Sequence, residues 1–246
     1  MDGIYSLPGF HQPLSSMSHF TGAVVLGWLA YYLLQPLWGR WGRFASVLIF
    51  VVSAVGLLSV SGTYHMFVPG SLPREIMLRI DHVAIFLLIA GTFTPLHAMM
   101  FRGWRRWGVL SLVWSIAIVG SVLRVVFLDE VSPLANALVY LGMGWIGGLT
   151  AWLIWQSGKR DLVLPVILGG VCYSIGAISN ALNWPTLILG VWGPHETLHF
   201  AVLAGLAFHW SVTAKVIENS IEEESSPSFD RNSSRETPSK LPRRAA

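Results

Sequence analysis

Charge is what this sequence has least of. Only 12% of its 246 residues are Asp, Glu, Lys or Arg, whereas 53% are hydrophobic. A soluble domain carries about 25% charged residues, so a water-solvated globule of this size is excluded. The scarcity is also uneven: 11 of the 29 charged residues fall in positions 216–246, which leaves 18 for the first 215. Cysteine is nearly absent. The single Cys172 lies in an apolar segment, so no intrachain disulfide is available and cysteine usage does not report on compartment. Net charge is only +3, with no basic stripe carrying interleaved aromatics, so no nucleic-acid partner is expected. The first 17 residues contain no Lys or Arg, two prolines and no sufficient apolar core, which is not the build of a cleavable signal.

What the sequence has is long apolar runs. About 20 mostly apolar residues are needed to cross about 30 Å of hydrocarbon as a helix. Seven stretches qualify: Ser18–Leu37, Phe44–Met66, Ile80–Met100, Trp107–Leu128, Leu134–Trp155, Leu162–Asn183 and Trp192–Ile217. Short connections between them carry loop signals, Gln35-Pro36, Pro69-Gly70, Arg102-Gly103, Ser132-Pro133, Ser157-Gly158 and Trp184-Pro185. Trp38, Trp41, Trp104, Trp107, Trp155, Trp184 and Trp192 cluster at the expected ends, where amphipathic rings sit at headgroup level. Small residues four apart, Gly144/Gly148, Ala23/Gly27 and Ser111/Ser115, are expected to let helices approach closely. Beyond Ile217 the chain turns polar and rich in Ser and Pro. The expectation is an all-α polytopic membrane protein: a seven-transmembrane-helix bundle over 1–217 and a disordered polar tail over 218–246.

Eight basic residues (Arg40, Arg43, Arg102, Arg105, Arg106, Lys159, Arg160 and Lys215) fall on the side of loops one, three and five and the C-terminal end. Three (Arg74, Arg79, Arg124) fall on the other. The positive-inside rule then puts the C-terminus in the cytoplasm of a cell or inner membrane.

Ionisable side chains within spans are costly and commonly functional. Starts of odd spans and ends of even spans must share one membrane edge. His19, Ser61 with His65, Asp81 with His82, and His195, Glu196 and His199 all fall on that edge. Ser61/His65 and His195/His199 are each one helical turn apart and share a face. His195 and His199 with His65 supply three imidazoles and leave a fourth position for water, the layout of a catalytic zinc site. Imidazole also suits copper, iron or nickel. Asp81 is the carboxylate that would hold or deprotonate that water, and Ser61 would donate to a substrate oxygen or stand behind the ligands. The competing reading of a lone His65 is an interhelical hydrogen bond. His97 and His209 lie about 24 and 15 Å along their helices from the nearest of these groups and are not expected in the site. His195-Glu-Thr-Leu-His199 also matches the H-E-x-x-H pattern, which would make Glu196 a protease base.

Ser61-Gly-Thr-Tyr-His65, Leu78-Arg-Ile-Asp81-His82 through Pro95, and Gly193-Pro-His195-Glu-Thr-Leu-His199-Phe together resemble the haemolysin III branch of the progestin and adiponectin receptor family. The likeness covers about residues 11–212. It implies the seven-helix fold of a wider group that includes alkaline ceramidases, zinc on His65, His195 and His199, and Asp81 and Ser61 close to the metal. One departure is an acidic, Asn-containing element before the first span. Here His19 is kept, but Ser15 takes the Asn position and Gln12 or His11 the acidic one. The receptor members resemble an N-inside arrangement, opposite to the charge count above.

The function expected is a metal-dependent hydrolase acting on a lipid amide or ester, with membrane lipids as partners. The alternative is a receptor-like sensor or membrane-homeostasis protein with a structural zinc. A secreted pore-forming haemolysin would need few long apolar spans, and this chain has seven. A transporter is disfavoured because the spans read as continuous with charges at an edge. A retinal protein is disfavoured because span seven has no lysine before Lys215.

Overall fold

The computed structural model describes residues 5–127 and 133–225. The expected end of span four at Leu128, the Ser132 loop signal and the tail beyond Ser225 lie outside the described residues. Among the described residues there are eight α-helices: α1 Pro13–Leu34, α2 Trp41–Tyr64, α3 Leu72–Met100, α4 Trp104–Val126, α5 Pro133–Trp145, α6 Gly147–Gln156, α7 Val163–Ala181 and α8 Pro194–Ser225. Among the described residues, seven helical segments are long and apolar enough to cross a membrane, with α5 and α6 together forming the fifth. Large apolar side chains such as Val24, Trp28, Val122, Leu138 and Leu164 are exposed on the outer faces. Water would not tolerate so much exposed apolar surface, whereas lipid does. Trp38, Trp41, Trp104, Trp107, Trp155 and Trp184 are exposed at segment ends, and Trp192 is stacked on Phe200.

Three features depart from the sequence expectation. First, the fifth span is not continuous. Its ladder breaks at Ile146, whose N–H turns back to Met143 O at 3.3 Å. Gly142, Gly144, Gly147 and Gly148 surround the break, and glycine costs a helix interior about 1 kcal/mol relative to alanine. Irregular backbone at this depth is tolerated where it lines a cavity, and Gly144, Gly147 and Gly148 do line one.

Second, of the small-residue pairs only Ala23 is buried in the core. A Cβ built on Gly27, Gly144 or Gly148 meets nothing within 4 Å, and Ser111 and Ser115 are exposed. Close approach occurs elsewhere. At Gly176 on α7 a Cβ would lie 2.7 Å from the Ala201 methyl and 3.2 Å from the backbone of Leu198 on α8. That glycine lets α7 press against α8 beside His199.

Third, α8 does not end near Ile217 but runs to Ser225. Its acidic end is paired. Glu224 meets Arg40 Nε at 2.8 Å and Arg43 at 2.7 Å, and Glu223 meets Lys159 Nζ at 2.7 Å. These bridges gather loops one and five and the C-terminal end at one edge, as alternation of seven spans requires. Their side chains are largely exposed, so solvent screens them and each contributes little to stability.

Candidate metal centre

At the opposite edge the first segment, the end of α2 and the start of α8 are tied together. Gln12 donates its backbone N–H to His65 O at 3.0 Å, and His11 donates to Met66 O at 3.2 Å. Helix α2 stops at Tyr64, so His65 occupies the C-cap, with its N–H on Ser61 O at 3.1 Å. Helix α8 opens with Pro194, a residue whose missing N–H costs nothing at a helix start. His195 and His199 then occupy its first two turns, one above the other.

The three imidazoles converge. His65 Nε2 lies 3.2 Å from His195 Nε2, which lies 3.2 Å from His199 Nε2. One ligand nitrogen from each of the three lies within 4.8 Å of the others. Two nitrogens bound tetrahedrally to one zinc ion at about 2.0–2.1 Å stand about 3.3–3.4 Å apart, so the spacing fits a shared ion. The outer nitrogens fit as well, because ligating histidines usually donate their second N–H to an oxygen. His65 Nδ1 is hydrogen-bonded to Gln12 Oε1, and His195 Nδ1 meets Asn180 Oδ1 at 3.0 Å. His199 is held differently. Its ring is stacked on His19 with centroids 3.8 Å apart, and it faces the backbone of Ser15 on α1. His19 is therefore a buried neighbour of a candidate ligand, and it lines the same chamber as the three histidines.

Asp81 sits inside α3, because that helix begins at Leu72 and not near Ile80. Its carboxyl lies beside the Ser61 hydroxyl, and its Oδ1 is buried with no hydrogen-bond partner. Asp81 does not belong to the triad of converging ligand atoms. It lines, together with Ser61 and the three histidines, a chamber of about 540 Å³. Leu57, Leu88, Phe93 and Val202 give the chamber apolar walls, and His209 reaches it from farther along α8.

Glu196 has a different job from the one the H-E-x-x-H match suggested. It is 2% exposed. Its Oε1 accepts from Ser15 Oγ at 2.9 Å, and its Oε2 accepts from the Gly193 N–H at 2.9 Å. A glutamate at the third helical position reaching back to the preceding N–H is half of a capping box. One oxygen fastens α8 to α1 and the other caps the start of α8 itself, so the carboxylate is used in holding the helix. His82 and His97 are held by hydrogen bonds of their own. His82 Nδ1 donates to Leu78 O at 2.6 Å and its Nε2 accepts from Arg124 at 3.1 Å. His97, at the far edge, donates to Arg105 O at 2.7 Å and accepts from Thr150 Oγ1 at 2.9 Å.

Sequence reasoning did not single out Asn180, or Arg124 and Tyr140 on the chamber wall. The alternation of span ends was the available signal. Asn180 and Arg124 close even-numbered spans and therefore share the edge of His65.

Residues 10–210 match the family described as Haemolysin-III related. Hemolysin-3 of Bacillus cereus is 31% identical over 134 residues, which are 54% of this chain and 58% of that protein. The Hemolysin-3 homolog of Bacillus subtilis (strain 168) is 35% identical over 133 residues, 54% of this chain and 62% of that protein. The alignments thus span less than two thirds of either relative's length. The family match runs through the end of α2 and the start of α8, which bring the three imidazoles together, and through α3, which carries Asp81, and the chain belongs to the haemolysin III branch of the progestin and adiponectin receptor family.

Proposed function

We propose that this protein is a zinc-dependent intramembrane hydrolase that cleaves an amide or ester of a membrane lipid, with His65, His195 and His199 as the metal ligands. The observation that carries the reading is the convergence of three imidazole nitrogens within 4.8 Å at one end of an apolar chamber. Three histidines leave one tetrahedral position open, which is the donor set of catalytic zinc sites; structural sites are closed by four protein ligands. Zinc held there supplies a Lewis acid and lowers the pKa of water to about 7. The chain's own residues account for the rest. In this reading Asp81 takes up a proton at its carboxylate, and Ser61 donates to a substrate carbonyl oxygen. Leu57, Leu88, Phe93 and Val202 hold an acyl chain and exclude bulk water. A volume of about 540 Å³ falls in the range of pockets that enclose small ligands. The basic count assigns the Glu224 edge to the cytoplasm and the histidines to the outer edge.

The test is metal content and lipid turnover of the detergent-purified protein. Wild type should hold about one zinc per chain, and the His195→Ala/His199→Ala protein none. Hydrolysis of ceramide-type amides or acyl esters should disappear in His195→Ala with helicity retained. Unchanged turnover in that variant would remove the reading. Stoichiometric zinc with no product from any lipid would favour the receptor-like alternative, in which the same ion only holds the bundle together.

A further inference from the structure

The contacts of Gln12 decide more than the position of His65. The Gln12 Oε1 that meets His65 Nδ1 also accepts from Arg74 NH2 at 3.0 Å. Arg74 is itself fixed. Its NH1 donates to Phe67 O at 2.5 Å, and its guanidinium lies over the Tyr64 ring, 4.6 Å from the centroid. We infer that Gln12 and Arg74 are positioning residues that hold His65 as the Nδ1–H tautomer, with its Nε2 lone pair turned toward His195.

The inference follows from donor and acceptor inventories. A guanidinium has five N–H donors and no acceptor. The Gln12 atom facing it must therefore be the amide oxygen, since a flipped amide would set NH₂ against NH₂. An amide oxygen only accepts. His65 Nδ1, which meets that same oxygen, is then the donor. A neutral imidazole has one N–H, so Nε2 carries a lone pair. That nitrogen is the one 3.2 Å from His195 Nε2. Gln12 also grips His65 through the backbone, by its own N–H on His65 O, so side chain and main chain move together. His65 is the ligand whose tautomer is fixed before an ion arrives.

The tautomer stands independently of the metal, whereas its use as a ligand rests on the reading above. The test uses the full chain, labelled with ¹⁵N at histidine, in detergent and stripped of metal with a chelator. Long-range ¹⁵N–¹H correlation spectra report which ring nitrogen carries the proton, and His65→Gln supplies the assignment. Wild type and Gln12→Glu, which keeps the acceptor, should show His65 protonated at Nδ1 alone. Gln12→Leu and Arg74→Met should show a mixture of tautomers. Zinc affinity, measured by chelator competition, should fall about 10–100-fold in Gln12→Leu and be retained in Gln12→Glu. A wild-type His65 protonated at Nε2, or at both nitrogens, overturns the proposal without any variant having to fold. So does Gln12→Glu losing zinc as severely as Gln12→Leu. A wild type that binds no zinc but keeps Nδ1–H upholds the lock and removes only the metal reading.

Discussion

At the scale of single residues, Glu196 separates holding the site from forming it. Removing its carboxylate strips α8 of its cap and leaves the Ser15 hydroxyl buried without its acceptor. A buried polar group left unsatisfied costs about 1–3 kcal/mol. Glu196→Ala should therefore lower thermal stability by that amount while the protein still binds one zinc per chain. Glu196→Gln, which keeps one acceptor for Ser15, should cost less. Differential unfolding paired with metal analysis checks this, and loss of zinc from a folded Glu196→Ala protein would make the glutamate a part of the metal site after all. The three histidines and Asp81 were legible in the sequence because ionisable groups stand out in apolar spans and because alternation of span ends sorts them to one edge. The supporting amides were harder to see. Gln12 lies in a polar stretch before the first span, where an amide carries no signal, and its meeting with Arg74 depends on how two short connections fold back. Glu196 was visible, but its partner Ser15 is 181 positions away, and a five-residue pattern cannot show which way a carboxylate points.

At the scale of helices, glycine spacing gave the right residue type for the wrong reason. A small side chain serves equally where two helices touch and where a cavity must stay open, and sequence spacing does not distinguish the two. Gly176 is of the first kind and Gly148 of the second. Gly176→Ala drives a methyl into Ala201 and the Leu198 backbone. Overpacking of this sort costs about 1–3 kcal/mol, and because Leu198 adjoins His199, zinc affinity should fall with stability. Gly148→Ala meets nothing within 4 Å and gains helix propensity. It should leave stability unchanged or raise it by up to about 1 kcal/mol, with zinc binding intact. Thermal unfolding of the two variants side by side is the measurement, and equal destabilisation would mean that α6 and its neighbours pack against Gly148 in the membrane. The interruption at Ile146 follows the same logic. Apolar composition shows that a segment can span but is silent on whether its backbone ladder is whole, and three of the four glycines around the break, Gly144, Gly147 and Gly148, face the chamber.

For the whole molecule, charge near the span ends is the physical term that decides which way the bundle faces. The seven spans, their order and the sharing of one edge by His65, Asp81 and His195 all follow from apolar run length and alternation, which is why they were readable without a structure. Orientation is different, because the fold is identical either way up. The membrane reads only the basic residues near span ends, and these stand eight to three in favour of the edge carrying Arg40, Arg43, Arg105 and Lys159. That edge is also the one where Glu223 and Glu224 meet Lys159, Arg40 and Arg43. Acidic residues weigh little in setting orientation, so the pairing does not cancel the bias. With Cys172→Ser as background, Ser71→Cys near the metal edge should react with a membrane-impermeant maleimide added to intact cells. Ser157→Cys at the other edge should react only after the membrane is opened. The reverse pattern would put the histidines on the cytoplasmic side, where any lipid substrate must come from the inner leaflet. Adding basic residues beside Ser71 should then strengthen that orientation, whereas adding them in the predicted arrangement should weaken it.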